Sequence, residues 1–150
     1  MKLRADAVTG IVIFIILLFA SFSKEADAAP TLALGMTAFN STLPTADLGI
    51  RWHDKYEVNA TVIGAGWTEK GEQLRTHIVS ASRIVRPTDH YFMRIGLAHV
   101  SKNPLVGHGN YRLGFGFRGK QWELEYFHFS SAGINSTNRG IDGITARVLF

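Results

Sequence analysis

The strongest constraint on the fold is an alternation of apolar and polar residues with a period of two, which recurs through residues 31–150. Side chains of a β-strand point alternately to opposite faces, so this period predicts strands rather than helices. Clusters of Gly, Pro, Asn and Asp separate the segments and are typical of hairpin turns. The sequence therefore predicts an all-β fold with eight strands, at 31–39, 45–53, 56–67, 73–84, 90–100, 109–118, 120–130 and 141–150.

Residues 1–28 have a different pattern. Lys2 and Arg4 precede an uncharged apolar run at 11–22, and Ala26-Asp27-Ala28 follows with the small-x-small pattern of a cleavage site. We expect a signal peptide at 1–28 and a mature barrel at 29–150. An uncleaved anchor is the alternative, although a membrane-spanning helix needs about 20 apolar residues. The chain has no cysteine, which in an exported protein fits a bacterial envelope.

Each predicted strand has one apolar face and one face of polar or very small side chains. The sixth strand shows the division most plainly: Tyr111, Leu113, Phe115 and Phe117 alternate with Arg112, Gly114, Gly116 and Arg118. A soluble barrel or sandwich buries such an apolar face, whereas a membrane barrel turns it toward lipid. Alternation alone does not decide between the two.

Three further observations favour lipid. Aromatic residues such as Trp52, Tyr91 and Trp122 lie near strand ends, as in an interfacial girdle. The polar face mixes Glu, Arg and Gly, which suits the narrow interior of an eight-stranded barrel. The terminal Phe150 resembles the assembly signal of outer-membrane barrels. We therefore predict an eight-stranded antiparallel up-and-down transmembrane β-barrel in the bacterial outer membrane, with a soluble periplasmic lipid-binding barrel as the alternative.

Charge and histidine spacing exclude some function classes. The formal net charge of +4 is spread along the chain and does not form the basic block of a nucleic-acid-binding arm, so no nucleic-acid partner is predicted. Five of the six histidines lie outside the candidate catalytic segment described below, and they have no spacing that favours a metal site. No cofactor is implied. These histidines are His53, His77, His90, His99 and His108.

The segment Glu125–Asp142 carries the candidate chemistry. His128 and Ser130 are two residues apart and share one face of a strand, and Asp142 has the parity of the apolar face of the next strand. Polar side chains on a lipid face are costly unless they are functional or lie at the rim. A serine hydroxyl becomes a strong nucleophile beside an imidazole that a carboxylate orients. The spacing alone is equally compatible with a non-catalytic interpretation, in which these are ordinary polar residues at the membrane interface where a loop begins.

The wider string H-F-S-S-A-G-I, followed by N-R-G-I-D, resembles the lipid A deacylase family of PagL type, whose pattern is H-[YF]-S-N-A-G and then N-x-G-[IL]-acid. The resemblance implies an outer-membrane serine esterase that removes an ester-linked acyl chain from lipid A of lipopolysaccharide. It implies His128, Ser130 and Asp142 as the catalytic triad, and backbone at Ser131 and Gly133 as the oxyanion hole. Two positions depart from the pattern: Ser131 replaces the usual Asn, and Asp142 replaces Glu.

Topology places this segment in the membrane. With both termini periplasmic, the loop between the last two strands is extracellular, and the triad lies at the outer leaflet beside lipopolysaccharide. Lipopolysaccharide and outer-membrane lipid are therefore the expected partners. A structural or adhesive barrel without catalysis is the alternative function, and a homodimer remains an open alternative to a monomer.

Overall fold

The computed structural model describes residues 27–39, 41–67, 73–101, 103, 105–133 and 139–150. Nearly all of the expected signal peptide lies outside these described residues. The chain forms eight strands, β1 (Ala28–Ala38), β2 (Pro44–Trp52), β3 (Tyr56–Trp67), β4 (Gln73–Val85), β5 (Tyr91–Val100), β6 (Gly109–Arg118), β7 (Trp122–Ser130) and β8 (Ile141–Leu149).

Each strand pairs antiparallel with the next along the chain, and β1 pairs with β8 to close a barrel. The predicted eight-stranded antiparallel barrel is thus confirmed. The largest difference in strand bounds is at β1, which starts at Ala28 because residues 28–30 pair with residues 50–52. The segment Ala-Ala-Pro has low β-propensity, so its strand conformation depends on this pairing. In the described part of the chain, no helix is long and apolar enough to span a membrane.

The barrel has two distinct ends. The turn end carries the short connections 53–55, 86–90 and 119–121, together with the start of β1 and the end of β8. The loop end carries the ends of β1, β3, β5 and β7 and the starts of β2, β4, β6 and β8. Since strands run alternately up and down, the start of β8 and the end of β7 meet at the loop end.

The exterior of the barrel is apolar and the interior is charged. Outward side chains such as Leu97, Phe115 and Leu34 are more than half exposed, while Arg94, Glu123 and Glu125 are completely buried. This is the reverse of a soluble protein and the pattern of a barrel that spans the bacterial outer membrane. The predicted orientation of the apolar face is confirmed. The exposure of the side chains also decides the inward face of β4, whose sequence pattern is mixed. Ile78 and Ile84 point inward, and His77 points outward.

The half of the interior near the turn end is filled by ion pairs. Arg51 bonds Glu123 at 2.7 Å, Arg94 lies 2.9 Å from Glu57, and Arg147 lies 2.7 Å from Glu57. The network as a whole has equal numbers of both signs. It consists of Arg51, Arg94, Arg112 and Arg147 with Asp47, Glu57, Glu123 and Glu125. Because these charges are paired, they can be buried without a water-filled channel.

The half of the interior near the loop end is apolar. Phe127 and Phe129 of β7 point into it, with ring centroids 5.6 Å apart, and Ile141 of β8 is buried there as well. The complete cluster is Leu43, Ile63, Ile78, Ala98, Val100, Leu105, Val106, Phe127, Phe129 and Ile141. Close packing of this plug holds the ends of β7 and β8 in place, and the candidate site lies on the outside of those ends.

Candidate active site

His128 points outward because its two neighbours point inward. Phe127 and Phe129 are each at most 2% exposed within the apolar plug, and successive side chains of a strand alternate. The His128 side chain is therefore held on the lipid-facing exterior, where it is 33% exposed. Ser130, the last residue of β7, has the same parity and lies on the same face.

Asp142 lies directly opposite His128 in the register of β7 and β8. Its Oδ1 is 2.8 Å from Nδ1 of the imidazole. The Asp142 side chain is only 12% exposed, so this contact is shielded from solvent and lipid. A carboxylate accepts hydrogen bonds, and Nδ1 is therefore the donor. The imidazole keeps Nε2 for a second partner.

Tyr126 is a member of the site that the sequence did not single out. Its hydroxyl donates a hydrogen bond to Oδ1 of Asp142, the same oxygen that accepts from His128. The available signal was parity, because Tyr126 is two residues before His128 on the outward face. Alternation placed it with Trp122 and Leu124 on the apolar face instead. The carboxylate is thus held by two donors from one strand.

Gly140 allows the close approach of the loop to the histidine. Its φ is +74°, a left-handed value that favours glycine. A Cβ on Gly140 would lie 2.8 Å from Cε1 of His128 and 3.6 Å from Oδ2 of Asp142. The structure thus explains the glycine of the N-R-G-I-D string: a residue without a side chain lets the backbone pass close to the imidazole of His128.

The turn after Ser130 is tight. The amide of Ala132 donates to the Ser130 hydroxyl at 3.1 Å, and both Ala132 and Gly133 have positive φ, at 48° and 82°. Ser131 is fully buried, whereas Gly133 is exposed. The oxyanion role expected for the backbone of Ser131 and Gly133 stays a prediction, as does catalysis by the triad. Residues 134–138 of the motif lie outside the described residues.

A shallow apolar groove of about 310 Å³ begins at His128 and runs along the exterior toward the turn end. Its outward side chains come from β5, β6 and β7: Met93, Ile95, Leu113, Phe115, Tyr126 and His128. The register explains the grouping, since Leu113 pairs with both Ile95 and His128. A groove with this lining fits a hydrocarbon chain. Within the described ranges, no three His, Asp or Glu side chains form a group suited to a metal ion.

Comparison with known proteins supports the fold. The crystal structure of the outer membrane enzyme PagL is similar over 82% of this chain and 98% of that chain, with a TM-score of 0.57 and 20% identity. The outer membrane protein Ail of Yersinia pestis aligns over 82% of this chain and 99% of that chain, with a TM-score of 0.49 and 10% identity. No family model matches the chain, and no curated protein does. The likeness to PagL shows the barrel architecture.

Proposed function

We propose that this protein is an outer-membrane esterase that removes an ester-linked acyl chain from lipid A of lipopolysaccharide. Ser130 is the nucleophile, His128 the general base and Asp142 the residue that orients the base. The observation that carries the proposal is the 2.8 Å contact between His128 Nδ1 and Asp142 Oδ1 on the lipid-facing exterior. It lies beside a serine on the same strand face and at one end of an apolar groove.

The chemistry follows from the tautomer. With Nδ1–H donating to Asp142, the lone pair of the neutral ring is on Nε2, the nitrogen that can take the proton of the Ser130 hydroxyl. The serine oxygen attacks the ester carbonyl, and the negative charge on the carbonyl oxygen is stabilised by backbone N–H groups around Ser131 and Gly133. The ester C–O bond then breaks, and the imidazolium gives its proton to the departing sugar oxygen, which leaves as a hydroxyl. Water then hydrolyses the acyl-enzyme with His128 again as base.

Two features support a membrane lipid as the substrate. The groove next to His128 is open to the bilayer, so an acyl chain reaches it without leaving the hydrocarbon region. The H-F-S-S-A-G string resembles the lipid A deacylases, and the structurally similar PagL is an outer membrane enzyme. A serine relay exposed to lipid acts on esters that are already embedded there. The proposed substrate is therefore an ester of lipid A.

The test is mass spectrometry of lipid A from cells that express the protein. We expect the wild-type protein to yield lipid A that has lost one acyl chain and Ser130→Ala to leave lipid A intact. Ser82→Ala is the matched control, since Ser82 is a buried, inward-facing serine of β4, and it should behave as wild type. Mobility of heated and unheated samples on gels verifies that each barrel is folded. Intact lipid A with folded wild-type protein contradicts the proposal and favours the non-catalytic barrel.

A further inference from the structure

A second polar feature interrupts the apolar exterior at the loop end of β4, β5 and β6. It consists of four basic side chains, the rim cluster: Arg75, His77, His99 and His108. All four are exposed. Arg75, His77 and His99 have the outward parity of Val79 and Leu97, which are 57% and 65% exposed. The cluster therefore lies on the membrane-facing surface at the level where that surface ends.

The strand register draws the three histidines together. Val79 pairs with His99, so His77 is the diagonal neighbour of His99 across β4 and β5. The rings of His99 and His108 are stacked, with centroids 5.7 Å apart and an interplanar angle of 11°. Nδ1 of His108 lies 3.0 Å from the carbonyl oxygen of Val100. This bond holds the ring in place through Nδ1 and does not use Nε2.

The backbone beneath the cluster is also tied. The amide of His77 donates to the Ser101 hydroxyl at 2.9 Å, and the Ser101 amide donates to the carbonyl of His77 at 2.9 Å. The start of the β5–β6 connection is thus fastened to β4. These backbone bonds fix the positions from which the histidine side chains project, so the spacing of the imidazoles is set by the backbone.

The rim cluster itself contains no carboxylate. Among the described residues, no carboxylate forms an ion pair with any of its four side chains. The interior arginines, in contrast, each contact at least one Glu or Asp. An arginine and three imidazoles supply several N–H donors and no carboxylate acceptor. Such a set favours an anion, and a phosphate ester has the oxygen geometry to meet several of these donors.

The position of the cluster relative to the groove identifies the kind of anion. Along β5 the outward residues run Met93, Ile95, Leu97 and His99, from the groove to the cluster. At about 3.3 Å per residue, His99 is about 13 Å beyond Ile95 toward the loop end. An amphiphile with its acyl chain in the groove can therefore extend its head group to the cluster.

We propose that the rim cluster of Arg75, His77, His99 and His108 is a binding site for the phosphomonoester head group of an anionic membrane lipid. The site extends beyond the esterase proposal and does not depend on it, because binding of a head group requires no turnover. If both proposals hold, the cluster orients the lipid whose acyl ester meets Ser130.

The test is NMR of the folded barrel in neutral maltoside micelles, with ¹³C at Cε1 of histidine and with Ser130→Ala so that no ester is cleaved. Phosphatidic acid is the probe, and phosphatidylcholine with the same acyl chains and inorganic phosphate are the comparisons. We expect phosphatidic acid to move the resonances of His77, His99 and His108, with much weaker effects from the other two. The substitutions His77→Gln, His99→Gln and His108→Gln together should weaken binding about tenfold or more.

The matched control removes two histidines at the opposite rim. His53→Gln with His90→Gln changes exposed turn-end histidines and should leave the affinity for phosphatidic acid unchanged. If the triple variant does not fold, Arg75→Gln replaces it and should weaken binding severalfold. Equal responses to phosphatidylcholine, an inorganic phosphate response as strong as that of the lipid, or no response at the three rings would each overturn the proposal. None of these outcomes bears on hydrolysis, which the lipid A experiment measures separately.

Discussion

At the scale of single residues, the candidate site depends on one carboxylate oxygen with two donors. Oδ1 of Asp142 accepts from His128 and from Tyr126. A hydrogen bond to a charged group contributes about 1.5–3 kcal/mol. We expect Tyr126→Phe to lower kcat/KM for ester hydrolysis by about tenfold, because the carboxylate loses the donor that fixes its orientation. Initial rates on a micellar acyl ester measure the effect.

Tyr91→Phe is the control for that substitution. Tyr91 is another outward-facing tyrosine of the exterior, and it packs on Phe117 near the turn end, with ring centroids 5.0 Å apart. It should retain the wild-type rate. Equal rates for Tyr126→Phe and wild type would show that Asp142 is held without the tyrosine.

Gly140 gives a second prediction at this scale. Gly140→Ala brings a Cβ to 2.8 Å from Cε1 of His128 and forces alanine into φ +74°. The ring is the part that can move, so its contact with Asp142 should break and activity should fall by about 10² or more. Gly109→Ala is the control, since a Cβ there meets nothing within 4 Å. Full activity in Gly140→Ala would contradict the geometry described for this loop.

Sequence parity was sufficient to place His128, Ser130 and Asp142 on one face, but it could not identify Tyr126 as a partner. A tyrosine beside an apolar strand face normally belongs to an interfacial girdle. Its bond to Asp142 requires the register of β7 against β8 across the connection 131–140, together with one particular rotamer. Neither is encoded in a local pattern. The role of Gly140 depends on the same register.

At the scale of strands, the two-residue period predicted most of the barrel and was weakest on β4. There Arg75, His77 and Arg83 interrupt the apolar face, and alternation gives no clear inward side. The structure assigns the side through pairing, because β3 and β5 align their outward residues with those of β4. The groove was beyond prediction for a similar reason, since it needs the relative register of three strands.

The interior network gives a prediction for strand cohesion. Arg94 of β5 lies 2.9 Å from both Glu57 of β3 and Glu125 of β7. Arg94→Met leaves these buried carboxylates with less compensation. We expect the free energy of unfolding to fall by about 3–5 kcal/mol, measured by urea denaturation in detergent micelles. Adding Glu125→Gln should restore part of the loss, because it removes one uncompensated charge.

Arg83→Met is the matched control for that experiment. Arg83 is an exposed outward residue of β4, so the same exchange of side chains there removes no interior ion pair. Its unfolding free energy should stay within about 0.5 kcal/mol of wild type. An equal loss in both variants would mean that the interior ion pairs do not hold the strands together.

At the scale of the whole molecule, the barrel is divided into a charged half at the turn end and an apolar half at the loop end. The apolar plug supports the strand ends that carry His128 and Asp142. The charged half joins strands that are not neighbours, as Arg51 of β2 does with Glu123 of β7. Rigidity from both halves allows the contact between His128 and Asp142 on the barrel exterior to keep its geometry without a covering domain.

The ion pairs of Asp54 with Arg86 and Arg118 at the turn end give a prediction with a defined pH dependence. Asp54 of the β2–β3 turn contacts Arg86 after β4 and lies 2.8 Å from Arg118 at the end of β6. Partial burial alone would raise the pKa of Asp54, but hydrogen bonds from the two arginines outweigh it and lower the pKa below its ordinary 3.8. A lowered folded-state pKa stabilises the fold above the unfolded value, and this contribution is lost as pH falls through the lowered pKa.

The experiment compares wild type with Asp54→Asn by denaturation across the acid range. The wild type should be more stable by less than about 1 kcal/mol at about pH 7, because the Asp54 side chain is 44% exposed and solvent screens the pair. As the pH falls below 3.8 the difference should shrink toward a small constant, since Asp54 becomes neutral in both states. Strong salt at neutral pH should also reduce it. A difference that grows on acidification would show that the three connections are not held together by this carboxylate.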